Sequence, residues 1–230
     1  MILSASPFRR RFVVLISGRG SNMRAIVAAV RARSAVADVC AVISNEAGAA
    51  GLEWARCQGI ETHTVSHREY ASRDAFDQAL ARAIDRYDPH YVLLAGFMRI
   101  LTEAFVTHYR GRLLNVHPSL LPAFPGLHTH QRALADGVQW HGCTVHFVTS
   151  ALDQGPIVAQ GAVPVLAGDT ADTLAARVLH VEHFVYAQVV GWLAEDRVFL
   201  GERSPVRVEG VATRSFVSLE GAARQIDVAP

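Results

Sequence analysis

The chain has 230 residues, half of them hydrophobic and 19% charged, with a formal net charge of +1. The length suits one large domain, or a domain with a small appendage, and the balance excludes a disordered or fibrous chain. Near-neutrality excludes a global field that would gather nucleic acid or an anionic membrane surface.

Residues 1–11 end in Arg9-Arg10-Arg11 and precede a short apolar run, which is the reverse of a secretory signal. They are expected to be a disordered extension, with a folded domain over 12–200 and a tail over 201–230. The first strand is expected at Phe12–Ile16, ending at Ser17-Gly18, and a helix at Met23–Ala32. A second strand, Asp38–Ile43, is followed by an Ala-rich helix at Ala47–Gln58 and a brief strand at Glu61–Val65. Ser72–Arg86 reads as a helix capped by Ser72, with Phe76, Leu80 and Ile84 on one face. His90–Ala95 is a fourth strand, Thr102–Tyr109 a short helix capped by Thr102, and Arg112–His117 a fifth strand.

The second half changes character. Ser119–His130 is rich in proline and glycine and reads as an ordered loop, followed by a helix at Gln131–Ala135. His141–Thr149 and Pro156–Pro164 read as strands that add antiparallel pairs, and Ala171–Leu193 as a long helix capped by Asp169 or Thr170. The tail loses periodicity, leaving a strand, a small hairpin or loose chain open.

This order predicts an α/β fold: an open, mostly parallel Rossmann-like sheet with helices on both faces and antiparallel strands added in the C-terminal half. Ligands in such sheets bind beyond the carboxyl ends of the strands. That rule points to Ser17–Asn22, Ser44-Asn45, Gly96–Leu101 and Asn115–Pro118. No apolar run reaches the roughly 18 residues of a membrane span. Cys40, Cys57 and Cys143 form no C-x-x-C pair and read as buried free thiols of a reducing compartment, which makes the cytoplasm the expected location.

Gly18-Arg19-Gly20-Ser21-Asn22 joins a strand to a helix. Its glycines admit a ligand to the backbone, the helix N-terminus offers free N–H groups to an anion, and Ser21 and Asn22 add side-chain donors. The loop is neither a Walker A sequence nor a full G-x-G-x-x-G, so a tight structural turn and a phosphate site stand as equal readings. Asn115 and His117 alternate onto one face of a strand end, where both could donate to one developing oxyanion. A lone strand-end histidine is more often structural. Asp153, before Gly155-Pro156, reads as turn chemistry unless a partner is nearby. His128, His130, His141 and His146 lack the spacing of a metal set and suit loop ordering and polar ligand contacts better.

Taken together these segments resemble the folate-dependent phosphoribosylglycinamide formyltransferases. The resemblance is carried by Val13–Asn22, Leu94–Leu101 and Leu114-Asn115-Val116-His117-Pro118-Ser119-Leu120-Leu121-Pro122, and is extended by Phe124–His130 and Asp153-Gln154-Gly155-Pro156, over about residues 12 to 195. It implies transfer of a formyl group from 10-formyltetrahydrofolate to the amine of glycinamide ribonucleotide, with Asn115, His117 and Asp153 as the catalytic trio. Gly20, Ser21 and Asn22 would hold the ribonucleotide phosphate. Arg73 and Glu182 would contact the donor or the ribonucleotide, and Met98, Arg99 and Leu101 would border the folate pocket. No metal, nucleic acid or membrane is implied, and the enzyme would act as a monomer or homodimer. Glu46 and Gly48 depart from the family, which often carries a basic residue and an aspartate there.

Three rivals share parts of this pattern. Deformylases of the same superfamily carry an added N-terminal regulatory domain, and methionyl-tRNA formyltransferases a larger C-terminal nucleic-acid-binding domain. A non-enzymatic folate- or nucleotide-binding module would keep the glycine loop but have no need of all three of Asn115, His117 and Asp153.

Overall fold

A computed structural model of the protein describes residues 9–201, 205–219 and 223–225; residues 1–8, within the expected N-terminal extension, lie outside these. The fold begins with β1 (Arg10–Ile16), whose apolar run is buried on both faces. Phe12, Val14 and Ile16 join one core, Val13 and Leu15 another, as expected for a central parallel strand. The strand starts two residues before the expected Phe12. Arg10 and Arg11 pair with Ala37 and Asp38 on the next strand, and such polar entry residues carry no hydrophobic signal.

The chain continues through α1 (Ser21–Arg31), β2 (Ala37–Ser44), α2 (Ala50–Cys57), β3 (Glu61–Thr64), α3 (Arg73–Asp85), β4 (Tyr91–Leu94), α4 (Glu103–His108) and β5 (Leu113–His117). It then forms α5 (Thr129–Ala135), β6 (Trp140–Phe147), β7 (Ile157–Pro164) and α6 (Ala171–Ala194). The helix starts have local causes. Ser72 accepts the N–H of Ala75, Thr102 accepts that of Phe105, and Thr170 forms a capping box with Thr173.

The described strands form a nine-stranded sheet that includes β10 (Ser215–Ser218) and β11 (Ala223–Gln225), in the order β11-β10-β7-β6-β5-β4-β1-β2-β3. β3, β2, β1, β4 and β5 run parallel, while β6 is antiparallel to both β5 and β7. The fold is therefore α/β with a mostly parallel open sheet and antiparallel strands in the later half. One core lies under α1, α2 and α6, the other under α3 and α4.

The tail joins this sheet. β10 lies parallel to β7, and the Arg214 guanidinium donates to the carbonyls of Ile157 and Val158, both at 2.9 Å. β8 (Val198–Phe199) and β9 (Arg207–Val208) form a separate two-stranded ribbon. Of the three cysteines, two differ from the expected burial. Cys143 is buried, Cys40 half-buried, and Cys57, the last residue of α2, is exposed on that helix's solvent side. Among the described residues no helix is long and apolar enough to cross a membrane.

Candidate active site

Chain order reverses direction at β1. The chain steps outward from β1 through β2 to β3, then returns to lay β4 on the other side of β1, with β5 beyond it. The crevice beyond the carboxyl ends of β1 and β4 is thus the topological switch point. The loops there are tied together: the Ser17 N–H donates to the Gly96 carbonyl at 3.1 Å, and the Met98 N–H donates to Ser17 Oγ at 2.8 Å. Ser17 Oγ in turn donates to Asn45 Oδ1 at 2.6 Å, which brings in the loop after β2.

Gly20 caps α1 in the left-handed region, φ 71°, a conformation glycine adopts without steric cost. The α2 start backs this loop closely. The Gly51 N–H donates to the Gly18 carbonyl at 3.0 Å, and a Cβ on Gly51 would meet Ile16 Cδ1 at 2.5 Å and Gly20 Cα at 3.3 Å. The Asn22 side chain is not presented at the loop surface. It is buried, and its Nδ2 donates to Glu182 Oε2 on α6 at 2.7 Å. Burial raises the Glu182 carboxyl above its usual range, with the Asn22 bond opposing. The loop's offer to an anion therefore consists of the N–H groups of the α1 N-terminus and the Ser21 side chain.

Two strands away, β5 brings Asn115 and His117 onto one face, and the loop between β6 and β7 brings Asp153 to them. His117 Nδ1 lies 3.4 Å from Asp153 Oδ2, and both side chains are nine-tenths buried. The Gly126 N–H also donates to Asp153 Oδ2, at 2.8 Å, and His117 Nε2 donates to the Phe124 carbonyl at 2.9 Å. The imidazole thus has a carboxylate oxygen near one ring nitrogen and a carbonyl oxygen at the other. Asp153 itself has φ 53°, a left-handed conformation that aspartate tolerates better than most residues. Its turn can dock because position 155 is glycine: a Cβ there would overlap the Phe147 carbonyl oxygen.

The loop after β5 is held in a wound conformation, with Phe124, Gly126 and His128 all at positive φ. Its root is anchored by Thr144, which donates to the Ser119 carbonyl and accepts from the Leu121 N–H and Gln160 Nε2. Behind it His130 and His141 meet ring to ring, Nδ1 to Nε2 at 3.2 Å. Burial pushes both below the usual histidine range, His141 to about 4. Among the described residues no group of three His, Cys, Asp or Glu side chains is arranged to hold a metal ion.

The structure therefore brings Asn115, His117 and Asp153 together, and joins Asn22 to Glu182. Met98 is 69% exposed on the loop after β4, with Ile100, Leu127 and Leu152 also exposed. Arg99 is half-buried with its Nε unpartnered among the described residues, Leu101 packs against the second core, and Arg73 is exposed at the first turn of α3. Sequence reasoning missed Thr144 and Gly51, and it gave His146 only a general role in loop ordering or polar ligand contacts. His146 lies cross-strand from Asn115, but strand register across β5 and β6 is not visible in a single sequence.

A formyl transferase family model matches residues 10–190. The phosphoribosylglycinamide formyltransferase of Escherichia coli (strain K12) is 53% identical over 192 residues, which are 84% of this chain and 91% of that protein. The chain belongs to the phosphoribosylglycinamide formyltransferase family. The crystal structure of a family member from Brucella melitensis is 50% identical, covers 84% of this chain and 100% of its own, and superposes with a TM-score of 0.77. The chain also matches trifunctional purine biosynthetic proteins, spanning 20% of the length of the Homo sapiens one. A formyltetrahydrofolate deformylase from Pseudomonas putida shares the fold at 27% identity, with a TM-score of 0.78 over 89% of this chain and 72% of that one.

Proposed function

We propose that the crevice carries out formyl transfer to glycinamide ribonucleotide by direct amine attack, with Asn115, His117 and Asp153 as the catalytic groups. The activity is that of a phosphoribosylglycinamide formyltransferase of de novo purine biosynthesis. The observation that carries the mechanism is the buried contact of His117 Nδ1 with the Asp153 carboxylate, on the strand β5 that also bears Asn115.

The ribonucleotide phosphate binds at Gly20, Ser21 and Asn22, where unpaired N–H groups of α1 face the crevice. The loop after β1 and the end of β5 are separated by two strand spacings, about 10 Å. That span lets one ribonucleotide reach from the phosphate loop to the trio. Glu182, linked to Asn22, and Arg73 contact the substrates. Met98, Arg99 and Leu101, with the exposed apolar side chains near them, border the pocket of the donor, 10-formyltetrahydrofolate.

The uncharged amine attacks the formyl carbon, and negative charge gathers on the former carbonyl oxygen. Asn115 and the His117 imidazolium donate to that oxygen; removal of one such donor costs about a hundredfold in rate. Asp153 holds the imidazolium and, through water, moves the amine proton to the leaving folate nitrogen. For His117 Nε2 to face the oxyanion, the Phe124 carbonyl must release it, so the loop after β5 shifts when substrate binds.

The reaction needs no metal, nucleic acid or membrane. We assign it to residues 12–200, with 201–230 as an appendage, and to the cytoplasm, as a monomer or homodimer. The test is a spectrophotometric assay with a dideaza analogue of 10-formyltetrahydrofolate, with and without ribonucleotide. Ribonucleotide-dependent deformylation supports the reading; ribonucleotide-independent loss makes it a deformylase, and no loss leaves a binding module.

A further inference from the structure

Asp153 lies between two imidazoles, and the mechanism above uses only one. His146, on β6, is 2% exposed. Its Nε2 stands 3.8 Å from Asp153 Oδ1, on the opposite edge of the carboxyl group from His117 and the Gly126 N–H, which share Oδ2. Three further observations bear on it.

The first concerns hydrogens. His146 Nδ1 is 3.0 Å from the Phe147 carbonyl, which only accepts, so Nδ1 carries the hydrogen. A neutral imidazole with its hydrogen on Nδ1 presents a lone pair at Nε2. Burial also pushes His146 below the usual histidine range, with Asp153 and the Phe147 bond opposing, which agrees with a neutral ring. The second is that Nε2 has no hydrogen-bond partner among the described residues although it is buried. A buried polar atom left in that state signals a role in chemistry or an additional partner. The third is backbone geometry. The β6–β7 register shifts between Val145 and His146, and such bulges re-aim side chains beside active sites. The same residue sits opposite Asn115 on β5.

We propose that His146 is a positioning residue for Asp153: its Nε2 accepts the hydrogen of the protonated carboxyl and makes Oδ1 the oxygen that takes and returns the proton. This rests on the role proposed for Asp153. The division of labour between the two oxygens follows from their neighbours. Oδ2 accepts from the Gly126 N–H and faces His117 Nδ1 throughout. Oδ1 faces an acceptor, so it gains a partner only when it bears a hydrogen. During transfer the amine proton passes through water to Oδ1, is held there toward Nε2, and leaves to the folate nitrogen. His146 stays neutral throughout, and Asp153 ends as the carboxylate with which it began.

The test compares His146→Phe, which removes both ring nitrogens, with His146→Gln, whose amide can donate to the Phe147 carbonyl and accept from Oδ1. Steady-state kinetics are measured for each, with Asp153→Asn in parallel and circular dichroism as the check of folding. His146→Phe should lower kcat about 10- to 100-fold, the scale of a displaced reacting group. KM for both substrates should stay within about twofold, because the lost contact acts on the chemical step and not on binding. His146→Gln should recover most of the loss. If the phenylalanine variant does not fold, His146→Leu takes its place. Near-normal kcat in the apolar variant, a loss confined to KM, or a folded His146→Gln as impaired as His146→Phe would each overturn the proposal. Near-normal activity in Asp153→Asn would instead overturn the reading of Asp153 itself.

Discussion

At the scale of single residues, the site is a set of groups whose free valences are nearly all assigned. His117 meets the Phe124 carbonyl at one nitrogen and the Asp153 carboxylate at the other. Removing the ring therefore takes away the group that faces the reaction. His117→Ala should lower kcat by about a hundredfold or more while KM for the ribonucleotide changes little, since the phosphate loop is untouched. Stopped assays at saturating substrate decide this, and a variant with near-normal kcat would remove His117 from the mechanism. The neighbouring residues show why one aspartate in an ordinary-looking turn matters. Asp153-Gln154-Gly155-Pro156 reads as turn chemistry, and the turn is real, but Asp153 adopts a positive φ and Gly155 lies against the Phe147 carbonyl. Both features serve to bring a buried carboxylate against an imidazole from another strand.

At the scale of elements, the phosphate loop depends on a neighbour that its own sequence does not reveal. Gly51, at the start of α2, donates to the Gly18 carbonyl and leaves no room for a side chain between Ile16 and Gly20. Gly51→Ala should push the loop away from α2. The expected outcome is a KM for the ribonucleotide raised about tenfold or more, with kcat at saturation less affected. The fold should lose about 1 to 3 kcal/mol from overpacking. Kinetics with varied ribonucleotide check the first point and denaturant titration the second; an unchanged KM would show that the loop is rigid without this contact. The same pair of elements shows what was legible in the sequence. The strands and helices that build the parallel half could be read because period-two and helical patterns are local, and the caps Ser72, Thr102 and Thr170 sit where short polar side chains precede apolar periodicity. The Asn115–His117 face could be read for the same reason. Contacts across the sheet could not: the Asn115–His146 register, the Asn22–Glu182 bond and the pairing of β10 with β7 all depend on residues far apart in the chain. Asn22 is a clear instance, since a loop donor by local pattern proves to be an inward residue once α6 is packed against α1.

At the scale of the whole molecule, the buried histidines tie stability to pH. His141 is pushed to about 4 by burial, with His130 adding to the shift, and burial also lowers His90, His130, His146 and His183 from the ordinary 6.5. In the unfolded chain these rings regain the ordinary value. Below about pH 6.5 the unfolded state therefore binds more protons than the folded one, and stability falls as the pH is lowered toward the depressed values. His141 alone accounts for about 3 kcal/mol by the time the pH reaches its folded value. Glu182 and Asp77 act in the opposite sense, because burial raises both carboxyls and the folded state keeps protons that the unfolded chain releases. Five depressed imidazoles outweigh two raised carboxyls between about pH 6.5 and 4.5, where unfolded histidines titrate and most carboxylates do not. Urea midpoints should accordingly drop between about pH 7.5 and about pH 5. His141→Gln, which cannot take up a proton, should flatten that dependence even where it weakens the fold at neutral pH. A midpoint that stays level or rises on acidification would mean that the buried rings take up protons in the folded protein at least as readily as in the unfolded chain. In that case the His130–His141 contact would hold two like charges at 3.2 Å, an arrangement the surrounding apolar packing gives no means to sustain.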